Sequence, residues 1–203
     1  MPAKPVVYVV DDDPAILRVI AELVEMIDLQ VETFISADEF LDTYKPAGPG
    51  CLVLDVRMPG MSGLELQRTL ADKDIHTPII MITAHGDIRM AVEAMSAGAF
   101  NFLEKPFRVQ ELCDNIHKAI RVDHKRWQQQ QQREGVTRRI DNLTPAEREV
   151  MDHVVAGKTN KTIAGELGIS VRAVEDRRAR MMKHLGVSTR AELMELASVA
   201  GTS

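Results

Sequence analysis

The sequence is poor in the residues that build disulfide frameworks, metal centres and membrane spans. It has two cysteines, Cys51 and Cys113, among 203 residues. Neither has a Cys-x-x-Cys or Cys/His spacing, so we interpret both as reduced core thiols. The six histidines show no metal-ligand spacing. No apolar run approaches the roughly 20 residues that span a bilayer, and the first apolar stretch is too short for a signal peptide. We therefore expect a cytoplasmic protein without a membrane partner.

Charge is divided unevenly between the two halves of the chain. Residues 1–121 carry 11 basic and 19 acidic residues, a net charge of −8, whereas residues 122–203 carry 14 and 11, a net charge of +3. This difference in sign predicts two domains with different partners. Aromatic residues are almost absent from the second half, where Trp127 stands alone.

The first half alternates between short apolar runs and helical patterns. The strand-like runs are Val6–Val10, Val31–Phe34, Leu52–Leu54, Ile79–Thr83 and Asn101–Leu103, and the helical patterns lie near 14–28, 37–44, 63–71, 87–97 and 107–121. Five β/α repeats predict a parallel sheet that helices cover on both faces. We predict an α/β, flavodoxin-like, doubly wound five-stranded parallel sheet in residues 1–121.

Residues 122–140 are rich in glutamine, with five in succession at 128–132. Because glutamine is a fair helix former, the segment predicts a linker that extends the preceding helix, with a break at Gly135. A disordered tether is the alternative.

Past residue 141 the pattern is entirely helical. A helix is predicted to begin here, with Thr144 as its N-cap and Pro145 as its first residue. Glu147 completes a capping box with Thr144. Further helices are predicted near 160–167, 171–184 and after Thr189. We predict a small all-α four-helix domain in residues 141–203.

Carboxylates follow two strands of the predicted sheet. Asp11, Asp12 and Asp13 follow the first strand, and Asp55 follows the third. In the strand order 2-1-3-4-5 these strands are neighbours at the switch point, so their acids converge. Converging acids without a cation raise one another's pKa, and a divalent cation such as Mg²⁺ relieves the repulsion. We interpret Asp13 as a helix cap.

Two more strand ends point to the same edge. The fourth strand ends at Thr83, a hydroxyl donor, and Lys105-Pro106 follows the fifth, with a peptide bond that could be cis. A lysine is a point charge suited to phosphate, and a carboxylate can accept a phosphoryl group. Together with Asp55 these residues predict a phosphoryl-accepting site.

Residues 5–121 carry the motifs VVDDD, LDVRMPGMSG, MITA and FLEKPF and resemble the receiver domain of two-component response regulators. The resemblance implies that Asp55 is the phosphoacceptor of a sensor histidine kinase. It implies that Thr83 is the switch hydroxyl and that Lys105 contacts the phosphoryl group. The switch aromatic falls on Phe102, which lacks a hydroxyl, so we expect it to act by packing.

The same resemblance implies a metal site for Mg²⁺ (or Mn²⁺). Its ligands would be Asp11, Asp12, Asp55 and the backbone carbonyl of Arg57.

The segment NKTIAGELGISVRAVEDRRARMMKHLG predicts a helix, a turn and a second helix. Ser170 is the N-cap candidate of the second helix. A basic second helix after a tight turn is the element that enters a DNA major groove. The alternative is a solvated basic helix in a regulatory bundle. The residues that we predict to contact DNA are Lys161, Ser170, Arg172, Glu175, Arg177, Arg178 and Lys183.

From Leu143 to about Val199 the motifs LTPAEREV, AGKTNKTIAGELGIS and HLGVSTRAEL resemble the LuxR-type helix-turn-helix domain. The whole chain therefore resembles a transcription factor of the NarL/FixJ type, in its FixJ-like branch. Many relatives carry Lys-x-His early in the recognition helix, whereas this chain has Glu175-Asp176-Arg177. An acid there can accept a hydrogen bond from cytosine N4.

We expect a regulator without enzymatic turnover, in which phosphorylation of Asp55 produces a homodimer that binds double-stranded DNA and acts with RNA polymerase. The expected dimer face is helix 87–97 with strand 101–104. One rival hypothesis is an aspartate-nucleophile phosphatase, which needs a second acid where this chain has Arg57. Another is an RNA-binding regulator, which needs aromatic stacking surfaces that the second half lacks.

Overall fold

The computed structural model describes residues 4–46, 48–84 and 88–201. The chain divides into two compact units, residues 1–127 and 128–203. Each unit has its own hydrophobic core.

The first unit is a parallel five-stranded sheet in the order β2-β1-β3-β4-β5. Its strands are β1 Val6–Val10, β2 Gln30–Phe34, β3 Gly50–Asp55, β4 Ile79–Thr83 and β5 Asn101–Glu104, and its helices are α1 Pro14–Met26, α2 Ala37–Thr43, α3 Gly63–Asp72, α4 Ile88–Ser96 and α5 Val109–Asp141. This order and the parallel pairing confirm the predicted flavodoxin-like fold. The predicted start of the fourth helix at residue 87 lies outside the described residues.

Alternate residues of each strand pack into two cores, one on each face of the sheet. On β3, Leu52 and Leu54 belong to one core, whereas Cys51 and Val53 belong to the other, as the period of two in a strand requires. Because both faces are buried, a strand reads in the sequence as a continuous apolar run. Both cysteines are buried and free.

Helix α5 continues well past the sheet. It ends at Asp141, so residues 122–140 lie within it and the predicted break at Gly135 is wrong. Val136 and Ile140 lie one helical turn apart and are buried in the core of the second unit. This packing offsets the roughly 1 kcal/mol by which glycine weakens a helix. The domain boundaries at 121 and 140 remain a prediction.

The second unit consists of the end of α5 and the helices α6 Pro145–Val155, α7 Asn160–Leu167, α8 Val171–Leu185 and α9 Arg190–Ala200. The predicted capping box is present, because Thr144 accepts from Glu147 N and the Glu147 side chain accepts from Thr144 N. Gly168 ends α7 in the left-handed region, at φ 65°, where glycine carries no steric penalty. This tight turn sets α8 against α7.

No helix in the described part of the chain is long and apolar enough to cross a membrane.

Candidate functional site

The acids at the ends of β1 and β3 lie side by side. The register pairs Val10 with Leu54, so Asp11 and Asp55 follow at the same edge of the sheet. Both are buried, with 1% and 5% of their surface exposed. Asp12 is exposed, and Asp13 caps α1 as predicted, its side chain accepting from Ala15 N.

Lys105 lies between the two buried acids. Its Nζ is 2.5 Å from Asp11 Oδ2 and 2.8 Å from Asp55 Oδ1. The remaining carboxylate oxygens also have partners, since Asp11 Oδ1 accepts from Asp13 N at 3.0 Å and Asp55 Oδ2 accepts from Arg57 N at 2.8 Å. The Lys105-Pro106 peptide bond is cis.

The electrostatics of this cluster follow from one ammonium shared by two carboxylates. Burial raises the pKa of Asp55, and the hydrogen bond from Lys105 only partly opposes that rise. Burial alone would lower the pKa of Lys105, but its hydrogen bonds to Asp11 and Asp55 outweigh burial and raise it. Lys105 therefore stays protonated, and its single positive charge can balance only one of the two carboxylates.

The carboxyl edge of the sheet also holds the predicted hydroxyl and aromatic residues. Thr83 is the last residue of β4 and is buried, with 1% exposed. The backbone N–H of Lys105 donates to its carbonyl at 2.7 Å, so the two residues occupy neighbouring strand ends. Phe102, in β5, is partly buried and packs against the core that contains Met81. The structure thus brings Asp55, Thr83 and Lys105 to one edge.

A glycine that sequence reasoning missed packs against the phosphoacceptor candidate. A Cβ placed on Gly63 would lie 2.2 Å from the carbonyl oxygen of Asp55. The α3 helix therefore begins in direct backbone contact with the end of β3. In the sequence, the motif GMSG that contains Gly63 indicates only a turn. It does not reveal the contact with Asp55, because the two residues lie eight positions apart.

The donors predicted for a metal are not assembled into a closed site. Among residues 4–46, 48–84 and 88–201, no group of three or more His, Cys, Asp or Glu could hold a metal ion as placed. The physical reason is that Lys105 bridges Asp11 and Asp55 while Asp12 is exposed. The chemistry still fits, because carboxylate oxygens with uncompensated charge are the ligands that Mg²⁺ prefers. Receiver domains generally bind Mg²⁺ for phosphorylation.

The basic helix α8 forms the candidate nucleic-acid surface of the second unit. Val174, Met181 and Leu185 are buried in the core, so the opposite face is presented to solvent. Three of the predicted contact residues on this helix are exposed, and they are Arg172, Glu175 and Lys183. Lys161, on α7, is exposed as well.

Three predicted contact residues are held more tightly by their own domain. Ser170 caps α8, its hydroxyl oxygen accepting from Ala173 N at 3.2 Å. Arg177 is partly buried. Arg178 is also partly buried, and its Nη1 donates to Asn160 Oδ1 at 3.1 Å. Sequence reasoning missed Asn160, since nothing in the local pattern links residues 18 positions apart.

A flavodoxin-like sheet with acids and a lysine at its carboxyl edge, together with a helix-turn-helix unit, defines the class of two-domain regulators that couple a receiver to DNA binding. Comparison with known families agrees. The response regulator receiver domain matches residues 7–117, and the bacterial regulatory proteins of the luxR family match residues 141–197. The chain belongs to the response regulators of the NarL/FixJ type and is FixJ-like.

Whole-length relatives share this organisation. Nodulation protein W of Bradyrhizobium diazoefficiens is 42% identical over 200 residues, covering 98% of this chain and 88% of that protein. Transcriptional regulatory protein FixJ of Azorhizobium caulinodans is 41% identical over 203 residues, covering 100% and 96%. The solved structure of the response regulator StyR is 43% identical, with a TM-score of 0.86, and the match covers 97% of this chain and 99% of that one.

The family decides between the hypotheses that the sequence left open. Its members are transcriptional regulators and are not known as enzymes, which disfavours a phosphatase. The receiver domain implies a kinase partner, and the luxR-family domain implies binding to DNA.

Proposed function

We propose that a sensor histidine kinase phosphorylates Asp55 and that phosphorylation promotes dimerisation and sequence-specific DNA binding. The observation that carries the proposal is the geometry of Asp55. It ends β3, is nearly buried, and has Lys105 Nζ 2.8 Å from its carboxylate. An ammonium at that distance is placed to offset charge on a phosphoryl group bound to the same oxygen atoms.

We assign the metal site to Asp11, Asp12, Asp55 and the backbone carbonyl of Arg57, with Mg²⁺ or Mn²⁺ as the ion. When bound, such an ion offsets charge during phosphoryl transfer. The assignment is supported by the two carboxylates that share the one ammonium of Lys105. Because Asp12 is exposed, its side chain has room to turn toward an arriving ion without disturbing the core.

Thr83 and Lys105 are the residues that would respond to the modification. An acyl phosphate at Asp55 carries about −1.5 to −2 charges in place of the single charge of the carboxylate, where the two buried acids already share one ammonium. We infer that Lys105 and the Thr83 hydroxyl turn toward the new charge. Phe102 lies three residues before Lys105 and packs on the same core as Met90 of α4, so a shift there changes the packing of α4.

Helix α4 offers the surface for the dimer. Ile88, Val92 and Met95 are 80%, 59% and 45% exposed, which is unusual for large apolar side chains on one short helix. Met90 lies within helix 87–97, which we expect to form the dimer face, but it is partly buried, and its sulfur lies 3.7 Å from Arg57 Nη2. We propose that two phosphorylated receivers pair through the exposed residues of α4 together with β5.

Dimerisation explains how one charge on Asp55 alters DNA binding. A single helical domain binds with modest affinity, whereas two joined domains gain effective concentration at paired half-sites. Helix α8 would enter the major groove, with Glu175 reading a base and Arg172 and Lys183 contacting phosphates. We propose that the bound dimer acts with RNA polymerase in the cytoplasm.

Labelling with acetyl phosphate and Mg²⁺ tests the phosphoacceptor. The wild-type chain should take up one phosphoryl group that is labile in alkali, as an acyl phosphate is, and Asp55→Asn should take up none. Asp13→Asn is the matched control, since asparagine also caps helices well. Full labelling of Asp55→Asn would refute the assignment.

Light scattering on the phosphorylated chain tests the dimer. Wild type should change from monomer to dimer on phosphorylation. Val92→Glu, on the exposed face of α4, should accept the phosphoryl group and remain monomeric, with weak operator binding. Val19→Glu, also at an exposed apolar position, is the control and should dimerise. A phosphorylated monomer that binds DNA tightly would contradict the dimer model.

A further inference from the structure

A polar contact joins the first residue of α7 to the middle of α8. Arg178 Nη1 donates to Asn160 Oδ1 at 3.1 Å, and both residues are partly buried. The two residues lie 18 positions apart, on either side of the tight turn at Gly168. The contact therefore ties the two helices of the helix-turn-helix together at a point well away from the turn that connects them.

Both partners occupy helix positions that face the core. On α8, Arg178 lies four residues after Val174 and three residues before Met181, and both of these side chains are fully buried. On α7, Asn160 lies three residues before Ile163, which is also fully buried. Residues three and four positions apart share one face of a helix. Arg178 and Asn160 therefore form a polar pair within an otherwise apolar contact between two helices.

A polar pair in such a contact can fix the register of the helices. Apolar side chains attract one another without a preferred direction, so contacts among Ile163, Val174 and Met181 leave α7 some freedom to slide or turn on α8. A hydrogen bond is directional and weakens steeply when its angle is poor. In coiled coils a single polar residue within an apolar seam specifies the register of the helices. The bond between Arg178 and Asn160 has the same physical basis.

The register of α7 on α8 matters because both helices carry exposed residues that we predict to contact DNA. Lys161 follows Asn160 on α7, and Glu175 lies on α8. In helix-turn-helix proteins the first helix crosses the DNA backbone while the second enters the major groove. Because phosphate contacts fix the orientation of the protein on the duplex, the offset between α7 and α8 sets which base edge Glu175 can reach.

We propose that Asn160 and Arg178 are positioning residues that hold α7 and α8 in the register required for sequence-specific recognition, and that Arg178 itself does not contact DNA. The inference rests on the proposed entry of α8 into the major groove. It gives Arg178 a role inside the domain in place of the direct DNA contact predicted from the sequence.

Amide hydrogen exchange in α7 of the full chain tests the contact itself. Arg178→Met and Asn160→Leu each leave one polar partner unpaired, so the amides of α7 should exchange about 5-fold faster. The double variant should regain the wild-type rate, because replacing both partners by apolar groups of similar shape is nearly neutral. Arg148→Met, on α6, is the control and should exchange like wild type. Effects that simply add in the double variant would overturn the proposal.

Fluorescence anisotropy with two DNA duplexes tests the consequence for recognition. One duplex is selected by the wild-type chain from a random pool, and the other is an unselected duplex of the same length. Each single variant and the double variant should lower the ratio of the two affinities about 10-fold, an effect comparable to one mismatched base pair. Asn160→Asp keeps an acceptor for the guanidinium and should retain the wild-type ratio.

The double variant and the salt dependence of binding separate positioning from the alternatives. Arg178→Met should keep the wild-type slope, whereas Arg172→Ala should lose about one phosphate contact with normal exchange in α7. An unchanged slope in Arg172→Ala would show that α8 does not bind phosphates, and this failure is distinct from a failure of the contact. The proposal is overturned if the double variant regains the affinity ratio together with the exchange rate, or if Arg178→Met flattens the slope by one phosphate contact.

Discussion

Replacing Lys105 with methionine should destabilise the receiver by removing the ammonium that bridges Asp11 and Asp55. The three side chains are 15%, 1% and 7% exposed, so the two carboxylates would remain buried without their partner. Breaking a buried ion pair in this way costs about 3–5 kcal/mol. Lys105 keeps some solvent contact, and Asp55, whose pKa burial already raises, can take up a proton instead. We therefore expect the free energy of unfolding to fall by roughly 2–3 kcal/mol at neutral pH.

A divalent cation should restore part of this loss. At about ten times its dissociation constant, an ion that binds only the folded state adds roughly 1.4 kcal/mol. Mg²⁺ should therefore stabilise Lys105→Met more than wild type, in which the ammonium already shares the two acids. The double variant Asp11→Asn/Lys105→Met should regain most of the lost stability without Mg²⁺, because only one buried carboxylate remains.

Amide hydrogen exchange in β1 and β3 of the full chain is the suitable assay, since two compact units make a single unfolding free energy poorly defined. Lys118→Met, at an exposed position of α5, is the control and should exchange like wild type. Two results together would refute this prediction. One is that Lys105→Met lowers the free energy of unfolding by less than about 0.5 kcal/mol, the size of an ordinary surface substitution. The other is that Mg²⁺ stabilises the variant no more than it stabilises wild type.

Three further predictions concern the N-terminal cap of α6, the contact of Gly63 with Asp55, and the exposed face of α8. Backbone and side-chain hydrogen bonds from Thr144 lower the pKa of Glu147. The ionised carboxylate of Glu147 therefore stabilises the folded state above the unfolded pKa of 4.5. This stabilisation is lost as the pH falls through the lower pKa of the folded state. Amide hydrogen exchange in α6 and α8 of the full chain should show a stability gap between wild type and Glu147→Gln at neutral pH, roughly 1–2 kcal/mol. This gap should close in acid, and a constant gap would contradict the prediction. Gly63→Ala should slow phosphoryl uptake at Asp55 and cost about 1–3 kcal/mol, whereas uptake at the wild-type rate would show that the close contact is unimportant. Arg172→Ala should flatten the salt dependence of DNA binding by about one phosphate contact, measured by fluorescence anisotropy, and an unchanged slope would exclude α8 as a phosphate-binding element.

The sequence determined the elements of the receiver and most of its edge chemistry. Apolar runs located the central strands β1, β3 and β4 because both faces of these strands are buried, whereas the edge strands β2 and β5 are only partly buried. Once the strand order is 2-1-3-4-5, residues that follow strand ends must share an edge, which is why Asp11, Asp55, Thr83 and Lys105 could be grouped in advance. The cap formed by Thr144 and Glu147 was equally predictable, since it depends on residues three positions apart.

The tertiary structure decided what depends on contacts between distant residues. Lys105 reaches acids 94 and 50 positions away, so no local pattern shows that an ammonium already bridges the expected metal ligands. Gly135 continues a helix because Val136 and Ile140 are buried in a core formed by later residues. The amide nitrogen of Gln67 in α3 donates to the carbonyl of Ala94 in α4, 27 residues away. This contact between distant residues fixes the orientation of the amide and leaves its oxygen without a donor in the described part of the chain.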